Sequence, residues 1–141
     1  MRSDYKKILA YVLVPVILGG LVGLLTVPNN NVSSIIPAWV FPVVWTILYV
    51  LMGYSAYRIN EKEGYVPRIY VIQLVVNLLW SFIFFKFRWF VFAFIWLIFL
   101  FVLVIKMIFE FRKIDKIAGN LQIPYAIWLI VAAILNIMQI I

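Results

Sequence analysis

Apolar and polar positions are laid out in long blocks along this chain. Apolar runs extend from about Ile8 to Val27, Pro37 to Tyr57, Ile69 to Phe85, Trp89 to Phe109 and Leu121 to Ile141. Each is close to the roughly 20 residues that a helix rising 1.5 Å per residue needs to cross a bilayer. None alternates with a period of two, as barrel strands do. Open strands would leave backbone N–H and C=O groups unpaired in lipid. The pattern predicts an all-α integral membrane protein, a five-transmembrane-helix bundle built as a single domain over residues 1–141.

Composition removes the alternatives. The chain is 67% hydrophobic and 12% charged, far from the balance of a soluble domain. It has no cysteine and no histidine, which excludes disulfides, thiol nucleophiles, imidazole bases and most zinc sites. The net charge of +7 does not point to nucleic acid, because the basic residues punctuate the apolar runs. Arg2, Lys6 and Lys7, then Arg58, Lys62 and Arg68, then Lys106, Arg112, Lys113 and Lys116 fall on one side of the membrane, ten in all. Only Lys86 and Arg88 fall on the other. The positive-inside rule then predicts a cytoplasmic N-terminus and the C-terminus outside in an inner or plasma membrane; the localisation expected is a multi-pass protein of a bacterial cell membrane. The first run lacks a small-x-small cleavage site, so it is expected to stay as a span. Asn31-Val32-Ser33 matches the glycosylation pattern, which has meaning only in a secreted context.

No ionisable residue lies near the centre of a run. That argues against proton pumps, ion-coupled transporters and voltage sensors, and against acid–base catalysis by carboxylates. The polar residues inside the runs are neutral and regularly spaced. Gln73, Asn77 and Ser81 recur every four residues in the third run, with Trp80 beside them. Trp128, Ala132 and Asn136 do the same in the fifth, preceded by Tyr125, and Trp45, Tyr49 and Gly53 in the second. Such stripes serve equally as helix contacts or as cavity walls. Gly19-xxx-Gly23 in the first run has the form of a helix-contact motif. Trp39, Trp89 and Trp96 suit the membrane interface. Trp45, about nine residues inside its run, does not. If the stripes meet around a cavity, it is uncharged and ring-walled, and fits a large flat lipophile. Pro15 lies inside the first helix, where proline bends the chain, and Pro124 falls in the opening turn of the last.

These motifs resemble the TspO/MBR family, the tryptophan-rich sensory proteins or translocator proteins, also called peripheral benzodiazepine receptors. Phe41, Val44-Trp45-Thr46, Leu48-Tyr49 and Met52-Gly53 match its second-span pattern. Gln73-Leu74, Asn77, Trp80 and Phe84-Phe85 match the third, and Pro124-Tyr125, Trp128, Ala132 and Leu135-Asn136 the fifth. The resemblance implies a five-helix bundle, commonly a homodimer. It implies a pocket for protoporphyrin IX-like tetrapyrroles, isoquinoline and benzodiazepine drugs and, in some members, cholesterol. Trp45, Trp128 and Ala132 would be pocket walls, with Tyr49, Asn77, Trp80 and Tyr125 beside them. No resident cofactor or metal is implied. The role would be a receptor used in sensing, sequestration or transport. The alternatives are light-dependent porphyrin degradation with Trp45 and Trp128 as candidate catalytic rings, and an assembly role toward partner membrane proteins. Three departures bear on the ligand. Ser34 stands where the family's first loop carries a tryptophan, with only Pro37 left of a proline pair. The C-terminal NIMQII lacks the sterol pattern, which Leu51, Tyr54 and Arg58 fit only loosely. There is no histidine or cysteine to ligate haem iron, which favours metal-free porphyrins.

Overall fold

From Val40 onward, helix follows helix with short connections. A computed structural model describes residues 2–26 and 40–141. In chain order they form α1 (Arg2–Thr26), α2 (Val40–Glu63), α3 (Arg68–Ser81), a π turn (Phe82–Lys86), α4 (Phe90–Ile114), α5 (Lys116–Asn120) and α6 (Ile123–Ile140). Every element among the described residues is helical. Among the described residues four stretches, Tyr5–Leu25, Arg68–Lys86, Phe90–Ile114 and Lys116–Ile140, are long and apolar enough to cross a membrane. Ser34, Pro37, Trp39 and the Asn31-Val32-Ser33 triplet lie outside the described residues.

The helix ends follow local chemistry. The apolar run of α2 finishes at Tyr57, but the helix continues through Arg58–Glu63, since charged straight-chain residues are good helix formers in water. It stops where Gly64 takes φ +80° and its N–H bonds Asn60 O at 2.7 Å, a conformation that glycine adopts without a Cβ penalty. The third helix opens into a π turn, with the Phe87 N–H bonded to Phe82 O at 2.9 Å. Asp115 is extended and caps α5, its carboxylate accepting the Ile117 N–H at 3.0 Å. The last apolar run therefore comprises two helices, α5 and α6, separated at Leu121 and Gln122, with Pro124 in the first turn of α6.

Packing separates an inner face from a lipid face. On α4, Ala93, Leu97, Leu100, Val104, Met107 and Phe111 recur at three- and four-residue steps and are buried. The opposite face exposes Ile95, Ile98, Phe99 and Val102, which in water would be a large uncovered apolar surface. The first helix lies on the outside. It has Pro15 buried within it and packs mainly on α2. Two glycines permit that approach. A Cβ on Gly53 would overlap the backbone carbonyl of Tyr11, and one on Gly19 would overlap the Tyr49 ring. A Cβ on Gly20 or Gly23 would meet open space, so among the described residues it is Gly19 of the Gly19-xxx-Gly23 motif that lets a ring approach. Trp96, expected at the interface, donates its indole N–H to Val76 O at 2.8 Å and ties α4 to α3.

At one end of the bundle, α2 meets the α4–α5 junction. The Arg58 Nε–H donates to the Asp115 carboxylate at 2.7 Å, and Lys62 Nζ lies 3.8 Å away. Burial alone would raise the Asp115 carboxyl. The hydrogen bond and charge of Arg58, the Ile117 N–H and Lys62 together outweigh it and hold the group below its ordinary value. Arg58 is held still more firmly in its charged form by the same bond. One step deeper, the Ser55 hydroxyl donates to Ala118 O at 2.7 Å.

Candidate functional site

The second, third and last helices meet chiefly through side chains, whereas close backbone approach is concentrated between α1 and α2, α4 and α6, and α3 and α4. Large rings fill the space between them. The Trp45 ring lies 5.7 Å from Tyr49, 6.4 Å from Trp80, 6.4 Å from Tyr125 and 6.3 Å from Trp128. It stacks on Tyr49 and meets Tyr125 and Trp128 edge-on, geometries that the ring quadrupole favours. Trp80 in turn stacks on Phe84 at 4.8 Å, a residue that the π turn places. Trp45 and Trp128 are half-buried, while Tyr49, Trp80, Tyr125 and Ala132 are buried.

Register explains why positions so far apart in sequence meet. Counting ten residues back along α2 from Ser55 reaches Trp45, and ten forward from Ala118 reaches Trp128. The second helix runs antiparallel to α5 and α6, so the Ser55–Ala118 bond on α5 and the Trp45–Trp128 contact on α6 are rungs of one ladder. They are about 15 Å apart at helical rise.

A polar chain runs through the apolar rings. The Tyr49 hydroxyl donates to Asn77 Oδ1 at 2.7 Å, and Asn77 Nδ2 donates to the Tyr125 hydroxyl at 2.7 Å. Tyr125 donates to Gln73 Oε1 at 2.8 Å, and Gln73 Nε2 donates to Tyr70 O at 2.9 Å. Each member is uncharged and buried. The chain thus couples α2, α3 and α6 without placing a charge in lipid. A second, shorter link joins Trp80 Nε1 to Asn136 Oδ1 at 3.4 Å, while Asn136 Nδ2 donates to Phe90 O at 2.8 Å.

The seven residues expected as ligand contacts therefore lie together on the facing sides of α2, α3 and α6. Trp45, Tyr49, Trp80, Tyr125 and Trp128 form the ring cluster, Asn77 bridges two of its tyrosines, and Ala132 is one turn beyond Trp128. Gln73 and Asn136 join the same construction. Their four-residue spacing from Asn77 and Ala132 was the available signal. Gly53 shares the α2 stripe in sequence but faces α1 instead. Among the described residues no group of histidine, cysteine and carboxylate side chains could hold a metal.

Asn77→Leu is expected to lower stability by about 1–2 kcal/mol, since it removes two hydrogen bonds and strands the Tyr49 hydroxyl in an apolar site. Thermal unfolding in detergent measures it. An unchanged or raised midpoint would mean that the polar chain contributes nothing.

Residues 11–141 match the profile of the TspO/MBR family. The tryptophan-rich sensory protein of Cereibacter sphaeroides is 36% identical over 102 residues, 71% of this chain and 65% of that protein. Protein CrtK of Rhodobacter capsulatus is 34% identical over 110 residues, 74% of this chain and 69% of its own length. The translocator protein of Ovis aries is 34% identical over 107 residues, covering 71% and 63% respectively. The match thus spans slightly under two thirds of the sensory protein and of the Ovis aries protein. With the same ring and amide positions brought together across α2, α3 and α6, and a profile match over nearly the full length, the chain belongs to the TspO/MBR family.

Proposed function

We propose that this chain is a five-span membrane receptor for flat lipophilic ligands of the tetrapyrrole class, acting in sensing, sequestration or transport. Val40–Tyr57 supplies the fifth crossing beside the four apolar stretches. In this reading residues 1–141 form one domain of a multi-pass bacterial cell-membrane protein. The N-terminus is cytoplasmic, the C-terminus is outside, and two copies pair as a homodimer. Relatives named for sensing and translocation agree with a binding role. The observation that carries it is the convergence of five rings and two amides from three helices at one uncharged place.

Tyr49, Asn77, Trp80, Tyr125 and Ala132 form the fixed wall, anchored by the polar chain and by burial. Trp45 and Trp128 are the movable wall. They touch each other edge-on and are only half-buried, so a planar guest enters by parting them and stacking on their faces. Ring–ring stacking supplies affinity, and hydrogen-bonding tips supply orientation.

The test is a titration of purified protein with protoporphyrin IX, followed through the porphyrin's own absorbance. Wild type is expected to saturate at one site per chain. Trp45→Leu with Trp128→Leu is expected to weaken binding about tenfold, given roughly 0.5–1.5 kcal/mol per lost ring contact. Equal affinity of wild type and double variant would sink the receptor role assigned to this cluster.

A further inference from the structure

A second concavity lies at the opposite end of the ladder, apart from the ring cluster. It is a cleft of about 530 Å³ between α1 and α2, floored by the α4–α5 junction. The first helix contributes Tyr5 and Ile8, the second Tyr54, Arg58 and Lys62, and the junction Asp115. This is the end of the bundle where basic residues accumulate, and where apolar helix gives way to charged helix.

Its charges do not cancel. Arg58 and Lys62 bring two positive charges against one from Asp115, whose carboxylate already accepts from Arg58 and Ile117. Glu61 in the lining is a second carboxylate, and Lys7 on α1, 3.5 Å from it, is a third cation, so three positive charges face two negative ones. One positive charge is left over. The Lys62 side chain, 52% exposed and 3.8 Å from its nearest carboxylate oxygen, holds it. A cationic guest is disfavoured for a second reason, since the Arg58 guanidinium already lies over the Tyr54 ring at 5.9 Å. Tyrosine rings beside basic side chains, at the level where hydropathy falls, are suited to a lipid headgroup.

We propose that this cleft binds the phosphate of an anionic phospholipid, with Lys62 as the main donor beside the Arg58 charge, and Tyr5 and Ile8 against the upper acyl chain. It is independent of the receptor role and stands or falls without it.

Native mass spectrometry of the full chain, released from nanodiscs holding equal phosphatidylglycerol and phosphatidylcholine, tests it. Wild type is expected to retain phosphatidylglycerol in preference. Lys62→Gln is expected to lower that retention about fivefold. Lys62→Arg should restore it, and Lys113→Gln, on an exposed position of α4 at the same end, should leave it unchanged. Added inorganic phosphate at millimolar concentration should not displace the lipid. Equal retention of both lipids, or equal losses in Lys62→Gln and Lys113→Gln, would overturn the site. Displacement by inorganic phosphate would overturn the lipid in favour of a free anion.

Discussion

Gly53→Ala is expected to loosen α1 from α2 and to cost on the order of 2 kcal/mol. The added Cβ would occupy the place of the Tyr11 carbonyl, with Val12 Cα also within 2.7 Å. These are backbone atoms of a continuous helix. They cannot rotate aside as a side-chain tip can, so α1 must shift as a whole. Gly20→Ala and Gly23→Ala provide the contrast. Both positions face open space, and both should stabilise the helix by about 0.5–1 kcal/mol through lower chain entropy in the unfolded state. Thermal unfolding of the three variants in one detergent decides the matter. A Gly53→Ala protein as stable as wild type would mean that the two helices are not held at this distance in solution.

Asp115→Ala should be the more damaging substitution, at about 3 kcal/mol. Three losses coincide. Arg58, only 26% exposed along its side chain, is left without its counter-charge. Lys62 loses its nearest carboxylate, and α5 loses the acceptor that satisfies the Ile117 N–H. Removing the exposed partnership of Lys7 and Glu61 should cost far less, because a surface pair is screened by water. Acid offers the same experiment without mutation. The Asp115 carboxyl is depressed in the folded protein, so its contribution is complete above the ordinary value of 3.8 and fades as pH falls below it. Unfolding midpoints of wild type should therefore decline below about pH 4, and those of Asp115→Asn should decline less steeply. Parallel pH profiles for the two proteins would show that the pair is not coupled to folding.

Much of this architecture was legible in the residues, for a definite reason. Lipid imposes one rule on its spans, so hydropathy marked four of the long helices, but not the break between α5 and α6. The four-residue spacing of Gln73 and Asn77, or of Trp128, Ala132 and Asn136, fixes which residues share a face. Facing sides were thus readable, whereas partners were not. Asn77 could have bonded to any neighbouring helix. That it bridges Tyr49 and Tyr125 depends on the antiparallel register of α2 and α6, which only the packed bundle sets. The Arg58–Asp115 pair joins positions 57 residues apart in sequence, and no local pattern announces it. The π turn after Ser81 carries no proline or glycine, so its extra residue per turn has no signature in composition. Gly19 and Gly23 look alike in sequence, but only one has a ring to receive.

The rungs of the α2–α6 ladder also limit what kind of molecule can occupy the upper one. From Trp45 to Tyr57, from Ile69 to Phe85 and from Ile123 to Ile140 there is no lysine or arginine. A carboxylate drawn in among the rings would therefore lose its hydration and gain no counter-ion, a loss of several kcal/mol. In the receptor role proposed above, a macrocycle bearing acidic arms would have to slide in by its bare edge and leave those arms at the water boundary. The lack of cations along these three stretches would then set such a guest's heading before any individual contact forms.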